Sequence, residues 1–84
     1  MKLLVSEQIV ARLRTLHPDH RKDIRAGLRE LANGRGDVKE LEGRLAGFCR
    51  LRIGRYRIGY RYREKHIEAI FLEQRSIVYE LFRP

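Results

Sequence analysis

Residues 48–63 read FCRLRIGRYRIGYRYR, and this stretch decides the fold. Its apolar residues recur every second position, which is the period of a half-buried strand. Gly54-Arg55 interrupts the alternation. Glycine in the first place of a two-residue loop is the type II′ hairpin preference. Folding the strands about that turn sets Ile53 opposite Tyr56, Arg52 opposite Arg57, Leu51 opposite Ile58 and Arg50 opposite Gly59. Parity then sends Cys49, Leu51, Ile53, Tyr56, Ile58 and Tyr60 to one face, suited to a core. The other face receives Arg50, Arg52, Arg57 and Arg61, with a gap at Gly59.

Upstream, KLLV at 2–5 reads as a short strand. Ser6 is a good N-cap. Ile9, Leu13 and Leu16 follow at helical spacing, predicting a helix over about 7–17. Pro18 suits the first position of a second helix. Ile24, Leu28 and Leu31 repeat the stripe, and Gly34 sits where a C-terminal cap belongs. Residues 33–47 hold four glycines and read as a loop returning to the sheet. After a turn at Glu64-Lys65, HIEAIFL supplies another strand. The expectation is a single α+β domain over 1–84. It has an N-terminal strand and a two-helix hairpin packed on an antiparallel sheet of about four strands.

The 84 residues carry a formal net charge of +8, from fifteen Arg and four Lys. This favours a polyanionic partner. Arg outnumbers Lys, and only Arg offers a planar fork for bidentate phosphate contacts. The charge is unevenly placed. Residues 1–42 hold nine basic and seven acidic side chains, and residues 64–84 hold three and four. Residues 43–63 hold seven Arg and no acid. One cysteine excludes an internal disulfide and a multi-thiolate zinc site. There is no signal-peptide pattern and no apolar run long enough to span a bilayer. A cytoplasmic location and no membrane partner are expected.

Arg52 opposite Arg57 is a like-charge pair, which destabilises a strand pair in isolation. A phosphate bound between the two would reverse that sign, because each guanidinium gains a charge-assisted bond. The alternative is arginines splayed into water or paired with Glu68 and Glu73, and Arg61–Glu68 reads as such a surface pair. Tyr56, Tyr60 and Tyr62 alternate with arginines, but their parity favours core packing over stacking on bases. His17, His20 and His66 lack metal-ligand spacing, and no phosphate-binding glycine loop is present. Neither a metal nor a cofactor is expected. Past the last strand, Arg75 and Tyr79 are set in an apolar end. On spacing alone, Tyr79 reads equally as a packed plug or as a functional hydroxyl.

A short strand, a helical hairpin, LEG at 41–43, the hairpin and a closing R-x-x-V-Y together resemble the RelE/ParE toxin superfamily of type II toxin–antitoxin systems. In that family L-x-G precedes Y-x-(K/R)-(L/I)-(K/R)-(V/L)-G-x-Y-R-(L/V)-x-Y, and the end reads H-R-x-x-V-Y. The resemblance implies a RelE-like, ribosome-dependent mRNA endonuclease working without metal. The 2′-hydroxyl attacks the adjacent phosphate, leaving a cyclic phosphate and a 5′-hydroxyl. Carried over by position, Arg52, Arg57, Arg75 and Tyr79 are the catalytic candidates, with Arg57 on the scissile phosphate. Arg50, Arg52, Arg55 and Arg61 are the RNA-binding candidates. Two departures matter. Gln74 replaces the usual histidine, and Arg55 stands where an acid is common, so Glu40 or Glu42 becomes a substitute acid. The implied partners are ribosome, mRNA and an acidic, partly disordered antitoxin that would form a heteromeric complex with an otherwise monomeric toxin. The competing readings are a ParE-like DNA gyrase inhibitor without nuclease activity and a non-catalytic RNA- or ribosome-binding module.

Overall fold

The computed structural model describes residues 1–74. Strand β1 spans Lys2–Val5, helix α1 Glu7–Thr15 and helix α2 Pro18–Ala32. Four further strands follow: β2 Asp37–Glu40, β3 Cys49–Ile53, β4 Tyr56–Tyr62 and β5 His66–Gln74. They form one sheet in the order β1-β5-β4-β3-β2.

The helix boundaries have local causes. The Ser6 hydroxyl accepts from the Ile9 amide at 3.2 Å, satisfying one of the free donors of the first turn of α1. Pro18 opens α2, where a missing N–H costs nothing. At its other end Arg35 N donates to Glu30 O at 2.8 Å and Gly34 N to Leu31 O at 3.0 Å. That pair of bonds is a Schellman cap around Asn33 and Gly34.

Both helices contribute to a core on one face of the sheet. Ile9, Leu16, Ile24, Leu28 and Leu31 pack with Leu51, Ile58, Tyr60, Ile67, Ala69 and Leu72. Each large aliphatic side chain so buried contributes roughly 1.5–3 kcal/mol relative to exposure. Cys49, Tyr56 and Tyr60 are buried on this face as their parity requires. Tyr62 shares the parity but is 55% exposed at the last position of β4. Its ring meets Tyr60 edge-on, with centroids 5.7 Å apart.

The α+β class stands, with two differences from the sequence reading. The sheet has five strands, because Asp37–Glu40 pairs with β3 where a loop was expected. Its four residues are all exposed and only Val38 is apolar, so the segment carries almost no strand periodicity. The sheet is also mixed, since β1 runs parallel to β5. The α1–α2 hairpin is the connection that carries the chain from β1 back to the far edge.

β1 covers only residues 66–69 of β5. The start of α1 finishes the edge. Ser6 N donates to Ala69 O at 3.0 Å, the Ser6 hydroxyl donates to Ile70 O, and Leu72 N donates to Gln8 Oε1 at 3.1 Å. Backbone groups that would template another strand are thereby occupied.

Candidate nucleic-acid interface

The β3–β4 register is the one the turn dictates: Ile53 to Tyr56, Arg52 to Arg57, Leu51 to Ile58, Arg50 to Gly59. Gly54 has φ 58, and no non-glycine residue among those described has a positive φ. Only the first turn position is therefore left-handed, as type II′ demands.

The sheet extends these pairs into rows on the face away from the core. One row reads Asp37, Arg52, Arg57, Glu73 across four strands. The next reads Lys39, Arg50, Gly59, Phe71. A third joins Arg61 to Glu68 and Leu4. Directly opposed residues lie about 5 Å apart at Cβ, so each row is a line of touching side chains.

Carboxylates remote in sequence thus enter the acid-free arginine segment. Arg50 Nη1 lies 3.5 Å from Asp37 Oδ1. Glu73 faces Arg57 in register and is held by Gln8 Nε2 at 3.1 Å and Arg12 Nε at 3.5 Å. Glu68 takes Arg61 Nη2 at 2.9 Å and Arg63 Nε at 3.1 Å. Hydrogen bonds from Arg63, then Arg61, hold the Glu68 carboxyl below its ordinary pKa. Arg61 also places its guanidinium carbon 5.4 Å from the Phe48 ring centroid.

The arginines are therefore not equivalent. Arg52 is exposed, and no ion pair reaches it among the described residues. Arg57 is 6% exposed and turns back on its own hairpin, Nη1 donating to the carbonyls of Gly54 and Tyr56 at 3.0 Å each. Arg61 lies four residues along β4 from Arg57, about 13 Å at strand rise, and is bound to Glu68. Arg55 leaves the row altogether. It lines a cleft of about 180 Å³ at the turn, with His20, Asp23 and Tyr56. There the Tyr56 hydroxyl and His20 Nδ1 are 3.3 Å apart. The gap foreseen at Gly59 is filled: a Cβ there would stand 3.1 Å from the Phe71 ring.

No family model and no curated protein matches the sequence. Solved structures do. A chain of the RelB–RelE antitoxin–toxin complex from Methanococcus jannaschii aligns at TM-score 0.75 and 25% identity, covering 95% of this chain and 99% of that one. The archaeal RelE–RelB complex from Pyrococcus horikoshii gives 0.70 and 26%, covering 89% and 94%. Its fold is that of the RelE/ParE toxin superfamily. YafQ from Escherichia coli, at 10% identity, shares the fold at TM-score 0.73 over 93% of this chain and 97% of its own.

Set in a RelE/ParE fold, the candidate residues separate into groups. Arg50, Arg52 and Arg57 converge on adjacent rows of one face. Arg61 is on that face but two rows away, and Arg55 points to the helix side. Arg75 and Tyr79 lie outside the described residues. Of the substitute acids, Glu40 pairs with Cys49, a core-face position three residues along the strand from the Arg52–Arg57 row. Glu42 precedes the short 3-10 turn Gly43–Leu45. Glu73, which the sequence offers only as a counter-ion, is the carboxylate in register with Arg57. Gln8 and Arg12, which grip it, carried no signal beyond helix propensity.

Proposed function

We propose that this RelE/ParE domain is the toxin of a toxin–antitoxin pair and that it cuts mRNA on the ribosome. The observation that carries the reading is the pairing of Arg52 with Arg57 at the centre of a face whose adjacent row adds Arg50. In isolation a like-charge pair is unfavourable, and a phosphate seated on it would gain charge-assisted bonds from the guanidinium groups. Phosphoryl transfer needs positioning and charge stabilisation more than covalent chemistry from the protein.

In this reading Arg52 and Arg50 hold the non-bridging oxygens of the scissile phosphate. The nucleotide's 2′-oxygen bonds to phosphorus and the bond from phosphorus to the 5′-oxygen breaks. The 2′-hydroxyl proton passes to a base and the leaving oxygen takes up a proton, giving a cyclic phosphate and a 5′-hydroxyl. Tyr79 and Arg75 are assigned to this proton transfer and to charge stabilisation through the family resemblance. Asp37 and Glu73 are the carboxylates in register at the two ends of the row. The chemistry assigned here requires no metal or cofactor.

The partner that silences the protein would be an acidic antitoxin segment. It matches the charge of +8 and would compete with RNA for the arginine face. Among the described residues no helix is long and apolar enough to cross a membrane.

The test is mRNA integrity in a bacterial cell-free translation reaction. New ends bearing cyclic phosphates, formed only on ribosome-bound message, are expected. Intact message with translation unaffected would overturn the reading. One observation favours the ParE-like alternative: Arg57 is withdrawn and bonded to carbonyls rather than presented. Inhibited DNA gyrase supercoiling with intact message would establish that alternative instead.

A further inference from the structure

We propose that one flank of α2 is a second polyanion-binding surface, built for the sugar–phosphate backbone of folded RNA and separate from the arginine face of the sheet. At 3.6 residues per turn α2 divides into three stripes. Ile24, Leu28 and Leu31 face the core. Asp19, Asp23 and Glu30 fall on one side of that stripe. Arg21, Lys22, Arg25 and Arg29 fall on the other and, with Pro18, line a groove of about 330 Å³.

Three observations set this flank apart from an ordinary solvated helix face. First, among the described residues no carboxylate lies within ion-pair distance of Lys22, Arg25 or Arg29. Glu30, the acid adjoining Arg29 in sequence, is taken by Arg35 at 2.5 Å. Secondly, like charges three and four residues apart repel on a helix, and oppositely charged partners at that spacing are the usual remedy. Here the acids of the same helix are segregated to the far side. Thirdly, Arg21 is anchored by Nη2 to Leu16 O at 3.1 Å, which fixes its guanidinium at the groove.

The spacing selects the ligand. Arg21, Arg25 and Arg29 recur every four residues, about 6 Å apart along a straight axis. Such a ladder suits a regular row of phosphates better than the irregular carboxylates of a peptide. Three of the four cations are arginines, whose forks take phosphate oxygens in pairs. The surface is on a different element from the Arg52–Arg57 row, so it stands whether or not that row cleaves RNA.

The test is binding of the full chain to a short blunt RNA duplex, measured by fluorescence anisotropy across a salt series. The triple variant Lys22→Gln/Arg25→Gln/Arg29→Gln is compared with Lys2→Gln/Arg44→Gln/Lys65→Gln, which removes equal charge elsewhere. Thermal melts check that both are folded, and Arg25→Gln alone serves if the triple variant is not. The α2 variant is expected to bind at least about ten-fold more weakly. Its slope of log affinity against log salt should be shallower by about 2 to 3, near 0.9 per lost phosphate contact on a duplex. For Arg25→Gln alone the slope should change by about 0.9. Equal losses in the two triple variants, or an unchanged slope, would overturn the proposal. So would an α2 variant that keeps duplex affinity but no longer binds a poly-glutamate peptide, which would make the flank a site for an acidic protein.

Discussion

The β3–β4 hairpin presents two faces made from alternate residues of the same two strands. On the inner face Leu51, Ile58 and Tyr60 are buried against the helices. On the outer face Arg52 and Arg57 stand side by side with Arg50 next to them. The inner face is complete once the helices pack. Among the described residues, carboxylates from β2 and β5 balance the outer face, and no ion pair reaches Arg52. Apolar packing and positive charge are thus assigned to opposite parities of one segment, and a substitution's effect should depend on its parity more than on its place along the strand.

The largest expected effect tests the inner face. Ile58 is 0% exposed at the centre of the core. Ile58→Ala should lower unfolding free energy by about 2–5 kcal/mol, from lost transfer energy and the cavity left behind. A small domain has roughly 5–15 kcal/mol in all. Urea unfolding followed by circular dichroism measures the change. A loss under about 1 kcal/mol would mean that the helices do not seal this face, and the contrast between the faces would fail.

The outer face should behave in the opposite way. Arg52→Ala removes an exposed side chain, so stability should stay within about 0.5 kcal/mol. Cleavage of ribosome-bound message should fall about a hundred-fold, the scale of losing one charge-stabilising donor. Arg57→Ala is a less clean probe. It also removes the hydrogen bonds to the carbonyls of Gly54 and Tyr56, each contributing about 1 kcal/mol. Measuring both variants separates catalysis from turn stability. Wild-type cleavage by Arg52→Ala would remove this arginine from the site.

The two faces also differed in how much of them the sequence revealed. The inner face was legible from Cys49 to Tyr60, because period-2 alternation and the Gly54-Arg55 turn fix register and parity together, while Tyr62 shares the parity and is exposed. The helices were legible from Ser6, Pro18, Gly34 and two apolar stripes. β2 was not, since DVKE has a single apolar residue. The parallel pairing of β1 with β5 was hidden too, because strand direction depends on a connection that local pattern does not encode. On the outer face the arginines were legible and their surroundings were not. Asp37 and Glu73 reach the Arg52–Arg57 row only through sheet order, and Phe71 fills the space at Gly59 from β5. Arg57's turn back onto its own hairpin depends on side-chain geometry that alternation does not encode.

The smallest expected effect lies at the end of the outer face, where Arg61 and Arg63 share Glu68. Their hydrogen bonds depress the folded-state pKa of Glu68. A depressed carboxylate binds fewer protons in the folded chain than in the unfolded one, so its stabilisation is present above the unfolded value of about 4.3. It is lost as pH falls through the lower folded value. Glu30 is depressed in the same sense by Arg35 and acts in the same window. Unfolding midpoints followed from pH 7 to pH 2 should therefore drop less steeply below about pH 4.3 in Glu68→Gln than in the parent. Because the pair is solvent-accessible, added salt should shrink the difference. A parallel acid limb in the two proteins would show that the pair is equally formed when the chain is unfolded. Arg61 would then be held in place by the Phe48 ring more than by its carboxylate.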